Sequence, residues 1–304
     1  MGDAATDRRT AGRYLRGALC GLAAVSIWAG GIVIVGLGLR TSLTPWDIAA
    51  VRFAVAGLLL MPYVLSRGIA RERLGWLGLA AIVLGGGAPV LLCNAGLLFA
   101  PAAHAGALYP GVMPAMTAVL AAIVLNEAFT ARKGLGFALI LAGVAAIVWA
   151  AGGTVGTRQT IGHGLFLGAA LSFACYTVAM RRARLDGLHA AGIAVVGDML
   201  IYLPVYALTT GTGLAAAAWS DIGLQAGAQG VLTAIISYVL YGRAVGLLGA
   251  SSGAAFAALG PALTALLAIP LLGEWPRVTE WVAIAAISLG VYVVSAAALS
   301  RRTA

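Results

Sequence analysis

Arg52, Asp198 and Arg243 are charged side chains set inside stretches that are otherwise apolar. A charge at mid-membrane costs on the order of 2.5 to 3.5 kcal/mol, so each should face a water-filled cavity or a partner. A guanidinium held there can contact a substrate carboxylate, and a carboxylate there can couple proton movement. Aligning Pro62 with Pro204 sets Ala194 opposite Arg52, so the second half of the chain has no matching cation. That asymmetry argues against a purely architectural arginine, although snorkelling or bonding to free carbonyls would also repay the charge. Arg243 lies close to a segment end and is expected to snorkel.

Aromatic and amide groups in the same stretches are the other candidates for a site. Trp28, Asn94, Tyr109, Tyr176, Tyr238, Tyr241 and Phe256 fall within apolar runs, with Tyr238 and Tyr241 about one helical turn apart. They pair at a fixed spacing: Trp28 with Tyr176 to within one residue, Asn94 with Tyr241, and Tyr109 with Phe256. Such groups can line a cavity and stack on a planar ligand. An aromatic belt at the membrane surface is the rival account, most applicable to Tyr109 and Tyr176 near segment ends. His104, His163 and His189 lie at segment ends and are read as interfacial histidines without function. Cys20, Cys93 and Cys175 are scattered and lack metal spacing, so they read as small buried hydrophobes. No metal and no cofactor is expected.

The elements that carry these residues follow from composition. With 62% hydrophobic and 10% charged residues, the chain has too little polar surface for a soluble fold. Apolar runs lie near 15–37, 46–65, 74–99, 102–125, 134–151, 161–180, 189–210, 222–247, 249–272 and 279–299. Each is long enough to cross roughly 30 Å of hydrocarbon as a helix. Thr44-Pro45-Trp46-Asp47 has capping-box spacing with proline at the first helical position, which marks the start of the second run. Gly85-Gly-Gly-Ala-Pro89 and Tyr109-Pro-Gly-Val-Met-Pro114 concentrate helix breakers at membrane depth, where unwound backbone must line a cavity or pack inside protein. Gly17-x-x-x-Gly21 and Gly164-x-x-x-Gly168 allow close helix contact within the chain.

Net charge +9 could suggest nucleic acid, but the placement of the cations argues for topology instead. Fifteen Lys and Arg residues fall on one side of the runs, three (Arg40, Arg158, Arg277) on the other, and Arg52 lies within a run. The positive-inside rule then puts both termini in the cytoplasm. The basic loops can touch anionic lipid, and they lack the interleaved aromatics of a nucleic-acid surface.

The chain also repeats itself. PAMTAVLAAIVLNE from Pro114 to Glu127 and PALTALLAIPLLGE from Pro261 to Glu274 agree at eight of fourteen positions, 147 residues apart. The same offset relates Gly17 to Gly164, Gly21 to Gly168 and Gly143 to Gly290. One period holds five runs, and an odd number inverts the second copy in the bilayer, the architecture of many secondary transporters.

The doubled Pro-x-x-Thr-Ala-x-Leu-Ala and Leu-x-Glu pattern follows small-residue segments, His104-Ala-Gly-Ala-Leu-Tyr109 and Ser251-Ser-Gly-Ala-Ala-Phe256. Together these resemble the EamA-type domain of the drug/metabolite transporter superfamily, over both halves, with the bacterial aromatic amino-acid exporters the nearest branch in general look. The resemblance maps its glutamate onto Glu127 and Glu274, candidates for gating or proton coupling. Their alternative is that of ordinary helix-end charges, paired with Arg132, Lys133 or Arg277 or capping the next helix.

These readings combine into an all-α integral membrane protein with ten transmembrane helices, arranged as two inverted five-helix repeats (12–151 and 159–299) around a central cavity. Residues 1–11 form a cytoplasmic tail, 152–158 a short external linker and 300–304 a C-terminal tail. The expected function is alternating-access export of amino acids with large apolar or aromatic side chains across the cytoplasmic membrane. A broad drug exporter or passive facilitator is the alternative. An intramembrane enzyme would need convergent acid, His or Ser/His/Asp groups that no motif supplies. Expected partners are a small-molecule substrate and membrane lipid, without nucleic acid, with a monomer as the working unit.

Overall fold

Backbone amides in hydrocarbon have no water to bond, so a chain of this composition must satisfy them inside helices. The computed structural model describes residues 2–126, 130–150, 158–209, 213–248 and 256–297. The helices are α1 (Gly2–Gly38), α2 (Pro45–Arg67), α3 (Arg71–Gly96), α4 (Ala102–Leu108), α5 (Met113–Val124), α6 (Ala131–Ala150), α7 (Arg158–Arg182), α8 (Gly187–Thr209), α9 (Gly213–Ala216), α10 (Trp219–Gln225), a π-helical stretch (Ala226–Ile236), α11 (Ser237–Leu248), α12 (Gly260–Leu272) and α13 (Val278–Ala297). Among the described residues, eight segments are long and apolar enough to cross a membrane, and two shorter apolar helices, Gly260–Leu272 and Val278–Val293, occupy the places of the last two runs. This is a multi-pass membrane protein. Residues 152–157 of the expected linker 152–158, Glu127 and the tail 300–304 lie outside the described residues, and Arg158 begins α7.

Local chemistry explains where helices start and break. Thr44 accepts from the Asp47 N–H at 3.2 Å while the Asp47 carboxylate accepts from the Thr44 N–H at 2.7 Å, so the capping box forms as read. The fourth run breaks at Tyr109–Val112 between α4 and α5, as Pro110, Gly111 and Pro114 require. The third run does not break: α3 passes through Gly85–Pro89 without interruption. Its small residues serve packing instead, since a Cβ at Gly85 would stand 3.0 Å from the Ser172 carbonyl and one at Gly86 2.6 Å from the Ala194 Cβ. Residues 2–11 of the expected tail are helical and begin α1.

The helices pair across the two halves. The main partnerships are α6 with α13, α3 with α7, α1 with α11, α2 with α8, α1 with α12, and α5 with α7. Exchanging each run for the one five places later maps this set onto itself. The interface between α6 and α13 carries the correspondence to atomic detail. A Cβ at Gly143 would lie 2.7 Å from the Ala283 carbonyl and 2.6 Å from Ile287, and a Cβ at Gly290 would lie 2.7 Å from both the Gly136 carbonyl and Ile140. These partners are themselves one repeat apart, and their order makes the two helices antiparallel. Ile140, Ile147, Ala283, Ile284 and Ile287 are fully or almost fully buried there.

Gly143→Leu or Gly290→Leu must separate two backbones in contact, and overpacking of this kind costs about 1–3 kcal/mol. Both variants should lower the midpoint of thermal unfolding in detergent by similar amounts. Gly164→Ala, where a Cβ meets nothing within 4 Å, should leave it unchanged.

Candidate functional site

A guanidinium among apolar helices must find acceptors, and the π-helical stretch supplies one. Arg52, on α2, donates from Nη1 to the Gln229 Oε1 at 3.1 Å. Gln229 is held in turn by its own amide, which donates to the Gly31 carbonyl of α1 at 2.7 Å. Close approach here depends on Gly31, because a Cβ there would lie 2.8 Å from Thr233 Oγ1. The π-helical register turns Gln229 and Thr233 toward α1, with Thr233 Oγ1 donating to the Ala228 carbonyl at 2.7 Å. Widened helices of this type are frequent at functional sites. One atom stays unanswered: Arg52 Nε is buried with no hydrogen-bond partner.

Arg52 opens onto a narrow cleft lined also by Phe53, Gly86, Phe173, Tyr176 and Tyr238, among others, whose free interior has room for about one water. Trp28 meets Tyr238 edge-on at 6.1 Å and Tyr241 at 5.3 Å, extending the aromatic wall behind Tyr238. On the other side Phe173 contacts Tyr176 at 5.1 Å and Tyr109 at 6.4 Å. The Tyr176 hydroxyl is buried without a partner. Spans from both halves therefore bring Trp28, Arg52, Tyr109, Tyr176, Tyr238 and Tyr241 together.

Asp198, on α8, stands beside this cleft. Its carboxylate packs against the glycines of α3, where a Cβ at Gly87 would collide with Oδ1 at 2.2 Å and one at Gly86 would lie 3.8 Å from Oδ2. Gly86 lines the cleft. Asp198 is buried, and Oδ2 has no hydrogen-bond partner. No ion pair among the described residues joins Asp198 to Arg52.

Other expected residues sit elsewhere. Asn94 is buried, but its amide donates to the Pro45 carbonyl at 3.3 Å and braces the start of α2. Phe256 packs on Gly21, whose Cβ position is 2.6 Å from Phe256 Cδ2. The Glu274 carboxylate accepts from the Ala102 N–H at 2.7 Å and caps α4. Burial pushes the Glu274 carboxyl up from the ordinary range, against the Ala102 N–H and the Arg40 charge, which favour the ionised form. Glu127 lies outside the described residues. Arg243 is exposed, in keeping with snorkelling.

Three features escaped the sequence reading. Gln225 and Gln229 form an i, i+4 amide pair inside an apolar run, and that pairing was the available signal for the partner of Arg52. Phe173 closes the cleft but looks like any apolar residue. His104 and His163 are not surface groups: both are buried and in contact with each other. Among the described residues no cluster of three His, Cys, Asp or Glu side chains has metal-binding geometry.

The model of the EamA-like transporter family matches residues 15–149 and again 160–296. The chain belongs to the EamA-like transporter family. This EamA-like chain is 30% identical over 291 residues to a protein of Streptantibioticus cattleyicolor described as a "Probable terminal-alkyne amino-acid exporter", covering 91% of this chain and 93% of that one. A crystal structure of a protein 21% identical in sequence superposes with a TM-score of 0.59 over 94% of this chain and 98% of its own, a likeness of fold.

Gln229→Leu removes the acceptor of the Arg52 guanidinium. A hydrogen bond to a charged group is worth about 1.5–3 kcal/mol. The variant should show a lowered thermal midpoint in detergent, whereas an unchanged midpoint would mean that Arg52 draws its support from elsewhere.

Proposed function

We propose that the protein exports amino acids with large apolar or aromatic side chains by alternating access, through ten membrane crossings arranged as two inverted repeats. The carrying observation is the pair of unanswered atoms beside one aromatic cleft: Arg52 Nε, a donor, and Asp198 Oδ2, an acceptor, not paired with each other. A zwitterion complements that arrangement. Its carboxylate accepts from Arg52, its ammonium donates to Asp198, and its side chain lies against Phe173, Tyr176 and Tyr238, with Trp28, Tyr109 and Tyr241 backing the wall. The description of the relative from Streptantibioticus cattleyicolor as an amino-acid exporter supports the same class of substrate.

Alternating access is supported by volume. A cleft with room for about one water cannot hold an amino acid, so loading requires the helices around it to separate. The self-consistent exchange of helix pairs between halves and the antiparallel Gly143/Gly290 interface support the inverted repeat. Eight long segments, with two shorter apolar helices in the places of the ninth and tenth runs, support the count of ten crossings among the described residues. The excess of Lys and Arg on one side supports cytoplasmic termini in a cell's inner membrane.

Arg52→Met removes the charge and keeps the length. In proteoliposomes it should raise the apparent KM for aromatic amino acids by one to two decades while sparing the corresponding decarboxylated amines, since a charge-assisted hydrogen bond is worth about 1.5–3 kcal/mol. Asp198→Asn should reverse the preference, sparing deaminated acids. If each variant impairs every analogue equally, the zwitterion reading fails.

A further inference from the structure

At the end of the molecule that the proposed orientation places outside, three titratable side chains from three helices form a chain of hydrogen bonds. Glu280, on α13, approaches His104, on α4, with Oε1 2.9 Å from Nε2. The other nitrogen of His104, Nδ1, lies 3.0 Å from Nε2 of His163, on α7. His104 and His163 are only 1% and 3% exposed, which places both within the protein rather than at its surface. The final atom of the chain, His163 Nδ1, is buried with no hydrogen-bond partner.

Hydrogen-bond logic fixes the tautomers. An ionised Glu280 only accepts, so His104 carries its proton on Nε2 and presents a bare Nδ1. His163 must then donate from Nε2, which leaves its own Nδ1 as an unprotonated lone pair. The chain ends on an acceptor, the Nδ1 lone pair of His163.

The surrounding charges are mixed. The Glu274 carboxylate caps α4 two residues before His104, through the Ala102 N–H. Arg40, after α1, donates to the Leu272 carbonyl at the end of α12. Arg158 opens α7 with its guanidinium 5.6 Å from the Phe99 ring. The Arg277 N–H donates to the second Glu280 oxygen at 2.6 Å. The cations Arg132 and Lys133 belong to the start of α6, at the opposite end of that helix.

We infer that His163, His104 and Glu280 form a proton-binding site at the external end, through which an external proton is exchanged for exported substrate. A proton arriving at His163 Nδ1 places a positive charge on the imidazole pair, held against the Glu280 carboxylate through the two hydrogen bonds. One proton is taken up and one negative charge is balanced. The three side chains join α4, from the first half, to α7 and α13, from the second, so proton occupancy acts on a contact that must change when the halves move. This inference rests on the transport reading and the orientation given above.

The test uses the full-length protein in proteoliposomes loaded with an aromatic amino acid, comparing exchange at equal pH with net efflux into an acidic exterior. For one proton per substrate, each pH unit should sustain an about tenfold substrate ratio. His163→Gln should abolish that gradient-driven ratio while equal-pH exchange stays within about twofold of wild type. Gradient-driven efflux retained in His163→Gln would overturn the site. Exchange without any pH response in the wild type would overturn the proton site and leave the transport reading standing, whereas absence of exchange would remove the transport reading itself. If His163→Gln loses both activities, ¹⁵N spectra of histidine-labelled wild-type protein at neutral pH decide. Nε2–H tautomers at both His104 and His163 support the chain as drawn, and a protonated Nδ1 on neutral His163 overturns it.

Discussion

A guanidinium placed between apolar helices has to be answered from within the protein, and much of the site follows from answering Arg52. Its acceptor, Gln229, reaches it from a π-helical stretch, and Gln229 in turn needs the bare backbone of Gly31. A normal α-helical register through 226–236, or any side chain at position 31, would take the amide away from the charge. The arrangement couples α1, α2 and the eighth run around one side chain. It leaves Nε unanswered, a donor in reserve for a ligand.

The scaffold that holds this charge is built from glycine and alanine contacts rather than from large interlocking side chains. Lipid tails are as apolar as leucine, so helices in a membrane gain by close approach and small residues mediate it. Gly57 against Met199, Gly85 and Gly96 on α7, and the reciprocal Gly143 and Gly290 are all places where a Cβ would collide with the neighbouring helix. Reciprocal contacts let one sequence solution serve twice. Function needs the opposite, since a site must differ between halves to read a ligand with two unlike ends. Arg52 with no cation opposite it and Asp198 on the facing helix supply that difference.

Much of this could be read before any coordinates. Hydropathy located the runs, the 147-residue offset revealed the duplication, and the energetic penalty on Arg52 and Asp198 singled out the two charges at the cleft. Trp28, Tyr109, Tyr176, Tyr238 and Tyr241 also gather there, because the repeat spacing carried real spatial information. Asn94 and Phe256 shared that spacing but were taken for packing, Asn94 by a carbonyl and Phe256 by Gly21. Glycine-rich Gly85–Pro89 looked like a break and proved to be a smooth packing face, since small residues weaken a helix and admit a neighbour with equal ease. The His104–His163–Glu280 chain was illegible because it joins positions far apart in sequence, and only tertiary packing brings them together.

The central claim is that Arg52 and Asp198 answer the two charges of one amino acid across the aromatic cleft. Equilibrium binding of an aromatic amino acid to the purified wild-type protein, compared with its methyl ester and its N-acetyl derivative, tests it most directly. Removing either charge should weaken binding by at least about tenfold, a loss of about 1.4 kcal/mol, and removing both should weaken it further. Equal affinity for the parent, the ester and the N-acetyl compound would contradict the account.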